Sequence, residues 1–177
     1  MKLLSEKIVN TDTYAGTVDL ITGIDDFDSQ VVYDDEWHTY KLNGKIIPSV
    51  TQLLADDTYK DVDKDLLKYA SDKGKIVHKE IEDYFKTGKN GFSYEFYSFL
   101  DIYINNKEIF EETAIFDFKT YSIASPHNRL KCYEQIKMYA EAVKYLTGKE
   151  IEHYYLIHLP HNGKPRVYDL RKEFEDE

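Results

Sequence analysis

The segment AIFDFK, Ala114 to Lys119, decides how the rest of the chain is read. Its Ile and two Phe residues favour an extended strand. The two-residue side-chain period then puts Asp117 and Lys119 on one face, with Phe116 and Phe118 on the other. A carboxylate and an ammonium stand side by side on an otherwise apolar strand. Burying both is costly unless they have partners such as a metal ion or a substrate phosphate. The ordinary alternative is a salt bridge facing solvent from a half-exposed strand.

Downstream, Arg129 to Leu146 has Tyr133, Ile136, Ala140 and Val143 at helical spacing, which predicts a helix with that stripe inward, ended by Gly148. Gln135 and Tyr139 lie four apart on it and share a face. An amide and a phenol so placed can hold a phosphate or a base edge, or be a solvated Gln beside a Tyr at the core edge. Ile151 to Leu159 and Pro165 to Leu170 read as further strands. Upstream, Tyr94 to Ile104 is helical, with Phe96, Phe99, Leu100 and Tyr103 inward. A longer helix runs from about Val62 to Phe85, with Leu66, Ala70, Gly74, Val77, Ile81 and Phe85 as its apolar or small stripe. His78 falls one turn after Gly74, beside the stripe, where a helical His is often a satisfied structural residue. Ser49 is suited to cap VTQLL. Gln30 to Ile47 has the β-formers and the Asn43-Gly44 turn of a hairpin or meander. Thr13 to Thr22 alternates as a strand, with Asp19 on the face of Ala15, Thr17 and Ile21. Helices covering a small mixed sheet, plus an extra hairpin, predict an α/β or α+β layered fold.

The whole chain has 177 residues and 15% aromatic positions, which suits a single domain with a substantial core. Cys132 is the sole cysteine, so a disulfide scaffold, a Cys-rich zinc site and an iron–sulfur cluster held within the chain are excluded. No apolar run approaches the roughly 20 residues that span a bilayer, and MKLLSEKIVN lacks the pattern of a secretory signal. A cytoplasmic location, without membrane association, is expected. The formal net charge of −10 argues against bulk, salt-driven nucleic-acid binding. A local basic track remains in Lys60, Lys64, Lys68, Lys73, Lys75 and Lys79, which is equally readable as a solvated helix face.

Four short motifs change the weight of these observations when taken together: GKIVH (Gly74 to His78), GTVD (Gly16 to Asp19), DFK (Asp117 to Lys119) and QIKMY (Gln135 to Tyr139). They resemble the RecB-like branch of the PD-(D/E)XK nuclease superfamily. YDDEWHTYKLNGKIIPSVTQLL, from Tyr33 to Leu54, also resembles the amino-terminal region of phage-type exonuclease members. The resemblance covers roughly residues 13 to 22 and 30 to 159. It implies a restriction-endonuclease-like core and a divalent-ion site made by His78, Asp19, Asp117 and the Phe118 backbone carbonyl. The ion would be Mg²⁺ or Mn²⁺, the imidazole tilting preference toward Mn²⁺. The resemblance further implies that Lys119 orients the attacking water and that Gln135 and Tyr139 contact DNA. The implied activity is metal-dependent hydrolysis of DNA to 5′-phosphate and 3′-hydroxyl, most simply by an exonuclease of phage recombination, repair or host defence. In that family, replacing Asp117 with Ala should abolish cleavage without unfolding, because repulsion among the site's carboxylates is relieved.

The motif order departs from the family. The GxxD strand normally lies between the GxxxH helix and the DxK strand, whereas Asp19 precedes His78, as if the order were circularly permuted. In the usual sheet the first and third strands start at the same end, roughly 10 Å apart, so a helix ending near Glu112 can feed the third directly. Glu6 to Asn10 would then supply the first strand. Asp19 could also be lent to a neighbouring chain by swapping, which would make a homo-oligomer. The four-cysteine cluster of the CRISPR-associated and AddB-type relatives is missing, which favours the compact phage-recombination or host-defence type. A competing reading is a catalytically impaired module that keeps the nuclease fold for nucleic-acid binding or assembly.

Overall fold

The computed structural model describes residues 31–34, 39–42, 45–54 and 63–175. Thr13 to Thr22 with Asp19, Glu6 to Asn10, and Lys60 lie outside the described residues. The meander expected from Gln30 to Ile47 is present as β1 (Val31–Asp34), β2 (Thr39–Leu42) and β3 (Lys45–Ile47), an antiparallel sheet in that order. Leu42 pairs with Lys45, so two residues separate the paired ends of β2 and β3, the spacing that an Asn-Gly turn signal predicts. The short helix α1 (Val50–Leu53) follows, held by a capping box. Ser49 Oγ accepts from the Gln52 amide at 3.2 Å, and Gln52 Oε1 accepts from the Ser49 amide at 2.9 Å.

Two long helices come next, α2 (Lys64–Thr87) and α3 (Tyr94–Asn105), capped by Asp63 and Ser93. Glu80 joins them: its carboxylate accepts from the amides of Phe92 at 2.7 Å and Ser93 at 3.1 Å, at the start of α3. Gly91 permits that approach, since a Cβ there would sit 2.6 Å from Glu80 Cδ. The expected inward stripe of α2 holds only in part. Val77 and Ile81 are fully buried, but Leu66 is 59% exposed and Ala70 is also exposed. Apolar period marks a face but not how far the opposing layer extends, and burial on α2 begins near its middle.

The second sheet has the order β4 (Ala114–Lys119), β5 (His153–His158), β6 (Arg166–Asp169). β4 and β5 are parallel and β6 is antiparallel to β5, so this small sheet is mixed as expected. A parallel pair needs a crossover. It is supplied by α4 (Pro126–Thr147), which begins three residues before the predicted Arg129 because Ser125 caps it and Pro126 occupies its first turn. Gly148, in the left-handed region at φ 70°, ends it as predicted. A last helix, α5 (Leu170–Glu175), was not legible as such; its Leu170 enters the core.

Helices cover both faces of this sheet. Phe116, Phe118, Tyr155 and Ile157 pack against Val77 and Ile81 of α2 and Phe96, Phe99 and Ile102 of α3. Ile115, Tyr154 and Leu156, on the opposite face, pack against Tyr133, Ile136, Ala140 and Val143 of α4. The α4 stripe is therefore the one its spacing predicts. The fold is mixed α/β, with small sheets flanked by helices. No helix among the described residues is long and apolar enough to cross a membrane.

A charged clamp ties α2 and α3 to the loop after β5. Glu95 on α3 is 2% exposed and contacts Lys73 Nζ at 2.6 Å and His161 Nδ1 at 3.0 Å. Burial works against the ionised carboxylate, but Lys73, the residue's own backbone amide and His161 outweigh it and hold the carboxyl below its usual range. Glu95→Gln is expected to lower stability by about 2 kcal/mol, the scale of a hydrogen bond to a charged group. Since the folded value is depressed, the wild-type contribution is present above the unfolded value of about 4.3 and is lost as pH falls through the folded one. Urea titrations at pH 7 and pH 3 check this: the difference between wild type and variant should shrink at the lower pH.

Candidate functional site

All six residues of β4 are buried, so the solvent-facing salt bridge is ruled out. Asp117 is 0% and Lys119 5% exposed, and Lys119 Nζ lies 3.2 Å from Asp117 Oδ2. Strand alternation aims both at α4, where Gln135 and Tyr139 come down from the crossover helix. Lys119 Nζ donates to Gln135 Oε1 at 3.3 Å, and Gln135 Nε2 donates to the Tyr139 hydroxyl at 3.2 Å. Asp117, Lys119, Gln135 and Tyr139 thus form one line of polar contacts running from the sheet to α4, beside a layer of aliphatic and aromatic side chains. Gln135 is itself buried, not the solvated residue of the bland alternative.

His78 reaches β4 from the other side. Its imidazole is buried and stands edge-on to the Phe118 ring, with centroids 6.0 Å apart. Gly74, four residues earlier, passes close to the end of the strand, a Cβ there lying 3.9 Å from Thr120 Oγ1. The Lys119 carbonyl accepts from the Leu159 amide at 2.8 Å, so it points toward β5. Successive carbonyls of a strand point to opposite edges, and the Phe118 carbonyl therefore points away from β5. Asp117 and His78 thus meet neighbouring positions of β4 from opposite faces of the sheet, His78 against the Phe118 ring. Asp19 lies outside the described residues, and among the described residues no three His, Cys, Asp or Glu side chains form a metal-ligating group.

Two neighbours of Lys119 escaped the sequence reading. His158 is its register partner on β5, and paired residues of parallel strands point to the same face. Burial, with Arg166 adding to it, holds the His158 imidazole below its usual range, against an opposing hydrogen bond to the Tyr121 backbone. His158 is consequently neutral at pH 7. Tyr121 in turn sets its ring 5.9 Å from Lys119 Nζ. The alternation of IEHYYLIHL put His158 on a definite face, but only the register with β4 shows whose neighbour it is.

The lysine track is largely spent within the protein. Lys68 pairs with Asp72 at 2.6 Å, Lys79 with Asp83 at 2.9 Å, and Lys73 with buried Glu95. Each of these carboxylates offsets the field of its lysine, which weakens the attraction of the track for a polyanion. No family model matches the chain, and no curated protein or solved structure matches it either.

Proposed function

We propose that this chain is a divalent-metal-dependent DNA nuclease of the RecB-like PD-(D/E)XK type, with a restriction-endonuclease-like core and exonuclease action in phage recombination, repair or host defence. The observation that carries the reading is the buried Asp117–Lys119 pair continued by Gln135 and Tyr139. A buried ion pair is poor value as mere structural support, because apolar residues of similar volume commonly do as well or better. Its position inside an apolar layer, in the same line as an amide and a phenol, suits a site where the charge takes part in chemistry.

The donor set also suits the ion. A carboxylate and a backbone carbonyl of β4, with an imidazole from α2, mix hard oxygen with nitrogen, which accords with Mn²⁺ or Mg²⁺, and Asp19 would complete the set. Bound there, the ion would supply Lewis-acid polarisation of a phosphate and a more acidic water. Lys119, held between Asp117 and Gln135, orients a water and offsets negative charge as it develops on the phosphate oxygens. Gln135 and Tyr139 hold the strand being cut in line with that ammonium. The products are a 5′-phosphate and a 3′-hydroxyl.

The test is incubation of the full chain with end-labelled linear and covalently closed circular DNA in Mn²⁺, Mg²⁺ or EDTA. Loss of linear DNA that depends on metal, with circles spared, is the expected result. Cutting of circles would replace the exonuclease with an endonuclease. Binding of DNA without cleavage in either ion would overturn catalysis in favour of a non-catalytic module. Mass measurement in solution decides whether Asp19 is supplied within one chain or by a swapped partner.

A further inference from the structure

We infer that Arg166 is a phosphate-binding residue that grips the strand being cut a short way from the cut itself. The inference rests on the proposed nuclease reading, with the Lys119 ammonium at the scissile phosphate. The observation behind it is a row of nitrogen-bearing side chains across the end of the second sheet. Lys119 of β4 pairs in register with His158 of β5, and His158 pairs with Arg166 of β6. Cross-strand partners face the same way, so all three side chains leave the face that α4 covers. The residues after Arg166 fit this alternation: Val167 packs with the layer under α2 and α3, and Tyr168 with the layer under α4.

Exposure rises along the row: Lys119 is buried, His158 is partly buried and Arg166 is exposed. His158 Nε2 is closed to solvent, so the imidazole separates the two cations without offering that nitrogen to a ligand. The Arg166 side chain makes no hydrogen bond or ion pair with a described residue, in contrast to Lys68, Lys73 and Lys79 on α2. A guanidinium so placed presents a planar fork that matches a phosphate at two oxygens. The formal net charge of −10 gives the chain no general pull on a polyanion, so holding a strand falls to cations beside the site. Neighbouring strands stand roughly 4.8 Å apart, which sets Lys119 and Arg166 roughly 10 Å apart across the sheet. That span covers up to about three phosphates on a strand whose charges rise about 3.4 Å each.

The experiment measures the affinity of the full chain for end-labelled linear DNA, with Ca²⁺ in place of Mn²⁺ so that binding is read apart from cleavage. Arg166→Gln is expected to weaken binding about tenfold at low salt, and the gap to wild type should narrow about threefold between about 50 and 200 mM salt, as one lost phosphate contact requires. Arg166→Lys should keep the wild-type salt dependence and recover part of the affinity, since it retains the charge and loses the fork. Lys149→Gln, past the far end of α4, removes the same charge from an exposed site and should leave affinity unchanged. DNA carrying one neutral methylphosphonate linkage, moved a step at a time from the cut mapped in Mn²⁺, locates the contact. One linkage within about three of the cut should weaken binding to wild type and have no effect on Arg166→Gln. Unchanged affinity of Arg166→Gln would overturn the inference, as would an equal loss in Lys149→Gln or a silenced linkage beyond that reach. DNA that is bound but not cut by the wild-type chain overturns the nuclease reading, and the salt comparison then still decides the Arg166 contact; a chain that binds no DNA overturns both.

Discussion

Asp117→Asn is expected to slow metal-dependent cleavage of linear DNA by about 10³-fold, the several kcal/mol that a site loses when a charged donor to its ion becomes neutral. Asn keeps the shape of the side chain and an oxygen facing the Lys119 ammonium, which lies 3.2 Å from Asp117 Oδ2 in the wild type, so the polar line to Gln135 survives. Asp117→Ala is a different experiment. The resemblance to the nuclease family implies repulsion between Asp117 and other carboxylates, which would make its removal harmless to the fold. Its described charged neighbour is instead an ammonium, and both are buried. Removing one partner of a buried pair costs about 3–5 kcal/mol, so the Ala variant should show a lowered urea midpoint and the Asn variant a smaller loss. Single-turnover rates at saturating Mn²⁺, taken alongside urea midpoints, separate lost chemistry from lost fold. Cleavage by the Asn variant within a few-fold of wild type would remove Asp117 from the ion's ligands.

How far the fold could be read in advance follows from which interactions are local. β4 was legible residue for residue, because its alternation and its bulky side chains act within six positions. The α4 stripe was legible for the same reason, and Gly148 marks its end by a backbone preference that needs no partner. The start of α4 at Pro126 lies ahead of the apolar period because Ser125 and Pro126 act through a cap. Leu66 and Ala70 are exposed although they continue the stripe, because period assigns a face without saying where the opposite layer stops. For the site, spacing put Asp117 with Lys119 and Gln135 with Tyr139. It left open whether either pair was buried, since that depends on α4 lying over β4. Contacts between residues far apart in the chain, such as Lys73 and His161 on Glu95 or His158 beside Lys119, arise from register and packing alone.

Lys119→Ala is expected to lower the single-turnover rate by roughly 10²-fold or more while affinity for Mn²⁺ changes little, because the ammonium stabilises developing charge and orients water without ligating the ion. The Lys119 side chain is bounded on several sides: Asp117 at 3.2 Å, Gln135 at 3.3 Å and the Tyr121 ring at 5.9 Å. A buried group of this kind cannot be replaced by charge alone. Lys119→Arg retains the charge, but a planar guanidinium is larger than the ammonium, donates in a fixed fork and must fit where only 5% of the side chain is exposed. Arg is therefore expected to rescue little of the rate, whereas a site that needed only a positive field would recover with Arg. The alanine variant also leaves Asp117 without its ammonium, so its urea midpoint should fall, and rates are compared at temperatures where both proteins are folded by circular dichroism. Near-normal cleavage by Lys119→Ala under those conditions would take Lys119 out of the reaction and reduce the buried pair to a structural one. Equal loss by Ala and Arg with unchanged Mn²⁺ titration is the outcome that assigns the ammonium to the chemical step.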